Sequence, residues 1–227
     1  MREVEFNTGD GTRYLAYGDL GLFLTDVVIS PPEPKRILVE VPGRDGYIDM
    51  TDSVGGIAYK NRKITLTFAI ADYTYTWESV FSEVMAALHG RKYHVYIYPR
   101  LWYWDSFVTV SSMKNDRNRG TIVVECDAFP YKLLNMQFQH QMAGGSGVWI
   151  EEIDTGQLME VPELITSPSS GTLNWQKTGS GTIIKSYSLV TGSNYFPDLV
   201  LTPEAHRIMI QTTSAGLFKM NYRKGVL

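Results

Sequence analysis

The sequence predicts a mainly β protein in two segments, with a single long helix in the first. Three patterns carry that reading. Residues 63–71 alternate, with Ile64, Leu66, Phe68 and Ile70 on one face, as a half-buried strand requires. Trp77, Val80, Phe81, Val84, Met85 and Leu88 then fall on one stripe of a helix. From residue 148 onward, turn signals recur at 154–157, 167–171, 178–181, 191–194 and 202–204. That spacing, roughly every 10–13 residues, suits a β-sandwich. A chain of 227 residues has room for two domains, placed here at 1–132 and 133–227.

The elements follow in order. Residues 1–30 hold short apolar pieces around Gly9, Gly11, Gly18 and Gly21 and read as short strands and turns. Ser30-Pro31-Pro32-Glu33-Pro34 forces an extended path, because proline fixes φ and removes a donor. Ile37–Val41 and Tyr47–Met50 flank Pro42-Gly43-Arg44-Asp45-Gly46, and Asp45-Gly46 between two apolar runs signals a hairpin. The helix is expected over about 77–89, with Thr76 as N-cap and Gly90 as its stop. Strands are expected at Tyr93–Tyr98, Phe107–Ser112 and Thr121–Cys126, the last two joined by a polar turn over 114–120. A stretch rich in Gln, Met and Gly, ending in Ala143-Gly144-Gly145-Ser146-Gly147, reads as the junction between the segments.

Several function classes are excluded by what these residues cannot do. Lys+Arg number 21 against Asp+Glu 24, a formal net charge of −3, which leaves no broad basic face to grip nucleic acid. No apolar run approaches the ~18 residues of a membrane helix, and Met-Arg-Glu-Val-Glu-Phe offers no signal-peptide core. The single cysteine, Cys126, rules out an internal disulfide and a Cys-based zinc site, and it reads as a small buried apolar residue. Asp45, Asp49 and Asp52, and Glu151, Glu152 and Asp154, read as turn and surface carboxylates, with nothing to fix a glycosidase pair. Gly145-Ser146-Gly147 lacks the strand–turn–helix setting of a nucleophile elbow, and no phosphate or dinucleotide loop occurs. His89 at the helix end favours the helix dipole. The expectation is a non-enzyme with no catalytic, cofactor-binding or metal-binding residue.

Aromatic residues are 12% of the chain, which suits either β cores or a binding surface. Tyr93, Tyr96, Tyr98, Trp102, Tyr103 and Trp104 either stack on sugars or bases, or pack a strand against the helix and a neighbouring subunit. Trp149, Trp175, Tyr187, Tyr195 and Phe196 either line a sugar groove or fill a sandwich core. Arg44 and Arg62 are expected to pair with Asp45, Asp49 or Asp52, across the sheet or between subunits.

An ordered set of motifs over residues 30–132 resembles the distal tail (Dit) proteins of long-tailed, non-contractile bacteriophages. It runs from Pro34-Lys35-Arg36 through Val39-Glu40-Val41-Pro42-Gly43-Arg44-Asp45-Gly46-Tyr47-Ile48-Asp49 to Tyr59-x-Asn61-Arg62-x-Ile64. Trp77, Leu88-His89-Gly90-Arg91, Pro99, Trp102-Tyr103 and Cys126-Asp127-x-Phe129-Pro130-Tyr131 follow. In the second half, Phe196-Pro197 and Tyr222-Arg223 look like the usual closing strands. The resemblance implies an N-terminal split β-barrel flanked by a helix, then a galectin-like β-sandwich. It implies a structural virion protein without enzymatic activity: a homohexameric ring at the distal end of the tail. Such a ring joins the tail tube to a tail-associated tip or hub protein around a channel for DNA. The outward sandwich domains carry receptor-binding proteins or, in some members, bind sugars. Pro42, Gly43, Arg44, Asp45, Gly46, Asn61 and Arg62 are the implied assembly motif. The alternative is a carbohydrate-binding module for host cell-wall polysaccharide, with Trp149 and Trp175 as the candidate sugar contacts.

Overall fold

The computed structural model describes residues 3–51, 57–70, 77–97, 101–116, 119–142, 147–179, 181–203 and 206–227. The chain is mainly β and divides into two compact units, Met1–Lys132 and Leu133–Leu227. Thr76, Asp52 and residues 143–146 of the expected junction lie outside the described residues, and so does the side chain of Trp149.

The first unit contains β1 (Val4–Asn7), β2 (Arg13–Leu15), β3 (Leu22–Ile29), β4 (Leu38–Glu40), β5 (Tyr47–Asp49), β6 (Arg62–Ile70), α1 (Trp77–Leu88), β7 (Arg91–Ile97), β8 (Tyr103–Asp116) and β9 (Arg119–Ala128). Seven of these strands form one antiparallel path, β3-β6-β9-β8-β7-β1-β2. Its two ends are tied where Leu22 N–H donates to the Ala16 carbonyl at 2.7 Å. Strand β6 lies between β3 and β9, and its alternation is strict: Arg62, Ile64, Leu66, Phe68 and Ile70 are buried while the residues between them are not. Ile64, Leu66 and Phe68 join Val4, Phe6, Val84 and Leu88 in a single core with residues of β7, β8 and β9.

Helix α1 buries Val80, Val84, Ala87 and Leu88, as the apolar stripe requires. Trp77, read as part of that stripe, is instead exposed, because the first turn reaches past the core. Gly90 ends the helix with φ 74°, the left-handed conformation a C-terminal stop demands. His89 does more than sit near the helix dipole: its Nδ1 accepts the Val110 N–H at 3.2 Å, tying the helix end to β8. Tyr93 lies edge-on to Phe6 and Tyr14, and its hydroxyl donates to the Ala87 carbonyl. Cys126 is buried in the core, and burial pushes its thiol up to about 12, so it stays protonated and inert at neutral pH. The polar stretch over 114–120 is mostly strand: Lys114 pairs with Thr121, Asn115 with Gly120 and Asp116 with Arg119. The backbone ladder carries pairing beyond the apolar pattern, since an exposed hairpin end asks nothing apolar of its side chains.

The second unit contains β10 (Lys132–Met142), β11 (Gly147–Ile153), β12 (Leu164–Ser167), β13 (Gly171–Lys177), β14 (Ile183–Leu189), β15 (Gly192–Asn194), β16 (His206–Thr212) and β17 (Gly216–Val226). Two four-stranded arrays, β15-β12-β17-β10 and β11-β16-β13-β14, bury one shared core. Ile165, Phe218 and Met220 enter it from the first array, and Leu173, Ile208 and Ile210 from the second. Residues 191–194, read as a turn, contain the short strand β15. Asn194 makes both structures there: its amide nitrogen donates to the Val190 and Gly192 carbonyls, while its backbone pairs with Ile165. Arg223 grips buried Glu160 through two nitrogens, Nε at 2.9 Å and Nη2 at 3.2 Å, a bidentate pair that closes β17 against the loop before β12.

Gly171 is where β13 and β16 approach most demandingly, since a Cβ there would overlap the Gln211 carbonyl oxygen. Gly171→Ala is expected to destabilise the second unit by about 1–3 kcal/mol through overpacking. Urea denaturation of the full chain checks this, and an unchanged midpoint would contradict the strand spacing.

Candidate functional site

The segment between β3 and β6 stands apart from both cores. Strands β4 and β5 pair only with each other, matching Leu38 with Asp49, Val39 with Ile48 and Glu40 with Tyr47. The loop between them turns through Gly43 (φ 81°) and Gly46 (φ 77°), with the Arg44 N–H donating to the Val41 carbonyl. The expected hairpin is therefore present, and its two glycines supply the positive φ that Asp45-Gly46 alone signalled.

Its root is fastened by backbone and charge. Lys35 N–H donates to Ala58 O at 2.7 Å, Lys60 N–H to Glu33 O at 2.8 Å, and Lys60 Nζ meets Glu33 at 3.0 Å. Tyr59 meets Tyr131 edge-on at 6.2 Å. Farther out, Asp49 accepts from the Thr51 hydroxyl and from Arg36 at 2.7 Å, while Thr51 Oγ1 accepts the Ile37 N–H. The Thr51 hydroxyl first, and the Arg36 guanidinium next, hold the Asp49 carboxyl down to about 2.

The expected ion pairs are thus redistributed. Asp49 is taken by Arg36, a residue sequence reasoning used only as part of a motif. Arg44 and Asp45 lie exposed on the tip. Arg62 turns into the first unit, 8% exposed, with Nε and Nη2 lacking any hydrogen-bond partner among the described residues. The pleat explains the difference: Arg62 is in phase with Ile64 and Leu66, so it faces the core rather than the hairpin.

Ile37, Leu38, Val39, Val41, Tyr47 and Met50 are all exposed on this arm, Tyr47 to 65%. Such a contiguous apolar stretch, on an element with no core of its own, marks an interaction surface. Beside the root lies a groove of about 580 Å³ lined by Asn61, Lys92, His94, Asp105, Asp127 and Phe129 among others. His94 Nε2 meets Asp105 at 3.1 Å and its ring lies against Tyr103 at 4.7 Å. Tyr103 and Trp104, adjacent in sequence, are both buried, one on each face of β8. Tyr103 and Trp104 therefore pack the strand on both sides, while Tyr98 of the aromatic stretch lies outside the described residues. Among the described residues no group of three or more His, Cys, Asp or Glu could hold a metal ion.

In the second unit the aromatics diverge. Trp175 packs against the core and its indole N–H donates to His206 Nδ1 at 2.9 Å. Tyr187 is buried against Phe196 at 4.7 Å, whereas Tyr195 is exposed.

No family profile and no curated protein matches the sequence. Solved structures do. The Dit protein of SPP1, described as a paradigm of the hub adsorption apparatus in phages infecting Gram-positive bacteria, matches over 100% of both chains with a TM-score of 0.66 at 11% identity. A chain of the phage p2 baseplate, in its activated conformation with strontium, matches over 99% of this chain and 98% of its own with a TM-score of 0.51 at 8% identity. The chain shares its fold with these two phage proteins over nearly its whole length.

Two outcomes test the arm's geometry. Asp49 lies below its ordinary value of 3.8, so its tie to Thr51 and Arg36 is complete above that pH and is lost as pH falls through about 2. Carboxyl NMR should show that midpoint, and Thr51→Ala should move it toward 3.8 more than Arg36→Ala does; an ordinary midpoint in the unsubstituted protein would refute the tie. Gly46→Val, where a Cβ meets nothing but φ is positive, should cost the hairpin about 1–3 kcal/mol of backbone strain. Faster amide exchange across β4 and β5 reads that cost directly.

Proposed function

We propose that this chain is a structural protein of a phage tail: a ring-forming adaptor that joins the tail tube to the tail tip or baseplate around a DNA channel. The observation that carries the reading is the fold match to the SPP1 Dit protein along the entire chain. The ring is a homohexamer built through the first unit. Tube protein binds one face, a tail-associated hub protein the other, and the second unit, a galectin-like sandwich, faces outward toward receptor-binding proteins.

Two features of the chain support this. The first is the apolar arm. A ring closes through heterologous contacts, in which two different patches of each subunit meet. An arm that leaves its own core with six apolar side chains uncovered supplies one such patch. The second is charge. With 21 basic against 24 acidic residues, the subunit has no cationic excess to retain a passing duplex. The sugar-binding alternative gains nothing comparable, since the indole N–H of Trp175 is already committed to His206.

Electron microscopy and native mass measurement of the purified chain, and of isolated tail tips, test the reading. A six-copy ring with a central hole is expected in one or both; its absence from both overturns the proposal. Leu38→Ser combined with Tyr47→Ser should raise the concentration needed for assembly at least tenfold, about 1.4 kcal/mol. The monomer should melt unchanged, because neither side chain is buried in it. A ring indifferent to both substitutions would remove the arm from the interface.

A further inference from the structure

Arg62 heads the core-facing row of β6, beside Ala128 of β9 and, beyond it, Ser106 of β8, both buried. Its guanidinium is shut from water at Nε and Nη2 without an acceptor. Burial alone pulls its proton affinity down, but arginine does not discharge at accessible pH. A second donor waits at the same end of the sheet: the indole N–H of Trp104, two residues before Ser106, is also buried without an acceptor. Two buried donors, one of them charged, with no acceptor among the described residues describe a receptor rather than a finished core.

Three acids of the arm and of β9 are committed. Glu33 pairs with Lys60, Glu125 with Lys63 and Asp49 with Arg36. Among the described residues of the arm this leaves Glu40 and Asp45, both exposed. Asp45 sits on the tip, where a carboxylate can enter an opening end-on. Within one copy Arg62 Nε and Nη2 are not met by Asp45: the tip stands up to about 17 Å along the hairpin from the Ile37–Met50 pair, at the end opposite the root that adjoins Arg62 through Tyr59 and Asn61. The occupant is therefore a second copy of this chain.

We propose that Arg62, with Trp104 on the core-facing row of β8 two strands away, receives the Asp45 carboxylate from the hairpin tip of a neighbouring copy. The inference rests on the ring reading and deepens it to one contact. Rotation of the Arg62 side chain turns its fork to the arriving carboxylate, which neutralises the buried charge. Docking lays the apolar arm over the neighbour at the same time. Each copy gives a tip and receives one, which is the geometry of a closed ring.

The test uses the full chain, with assembly followed by native mass spectrometry and unfolding of the monomer followed by calorimetry. Asp45→Asn and Arg62→Met should each raise the assembly concentration at least tenfold. The double variant should be no worse than either alone, as coupled partners require. Arg62→Met should also raise the melting temperature of the monomer, because it removes an uncompensated buried charge; an arginine with a merely structural role would lower it. The charge exchange Arg62→Glu with Asp45→Arg should restore assembly that either change alone abolishes. Rings that tolerate Asp45→Asn, or losses that multiply independently in the double variant, overturn the pairing while leaving the ring reading intact. Weakening by Glu40→Gln instead of Asp45→Asn overturns the assignment of Asp45. A chain that forms no ring in any setting overturns both.

Discussion

The pleat of β6 is the constraint on which the first unit turns. Because successive side chains of a strand point to opposite faces, the phase that sends Ile64, Leu66, Phe68 and Ile70 inward leaves no freedom for Arg62. A one-residue slip would free the arginine but expose four large apolar side chains. At about 1.5–3 kcal/mol for each fully buried aliphatic or aromatic side chain, the hydrophobic row outweighs one misplaced cation. The buried guanidinium is thus a consequence of register, tolerated locally because the rest of the strand insists on it. The same strand holds β3 and β9 on its two sides, so its phase also sets which residues of those neighbours reach the core.

The arm follows a different physics. A two-stranded hairpin with no third strand is marginal in water, and β4 and β5 bury almost nothing of their own. What keeps the shape is a ladder of polar ties along its length: Lys60 with Glu33 at the root, then Arg36, Asp49 and Thr51 farther out. These are exposed contacts, individually weak and screened by salt. They are enough to present an apolar surface in one conformation but not to bury it. An element held open in this way leaves its largest favourable term, burial of Leu38, Val39 and Tyr47, as a reserve unrealised within one copy. That reserve is why the arm and the proposed ring belong together.

Much of the fold was legible from periodicity. The strand over 63–71 and the helix stripe needed only spacing, and Gly90 and Asp45-Gly46 announced their backbone conformations through residue type. What escaped was anything decided by partners distant in sequence. Nothing local says that Arg36 rather than Arg44 or Arg62 takes Asp49, because that choice depends on hairpin register. His89 looked like a dipole partner until the fold brought the Val110 N–H to its ring. Residues 191–194 looked like a turn because Gly and Ser dominate there, yet Asn194 hydrogen-bonds the turn to itself and frees its backbone to pair. Trp175 offered an aromatic face to a sugar in sequence, and only the fold shows its N–H engaged with a histidine 31 residues away.

The two units show the same economy applied to opposite ends. In the second, the cation and acid that fall inside find each other: buried Glu160 meets Arg223 through a bidentate pair. In the first, Arg62 falls inside and its Nε and Nη2 meet no acceptor among the described residues. A buried pair and a buried orphan differ by several kcal/mol, so the contrast within one chain is not a matter of tolerance for buried charge in general. The second unit is electrostatically complete as a monomer at that position, whereas the first is not. Under the proposed pairing the buried cation and the uncovered arm serve one contact, and both lie in the same unit.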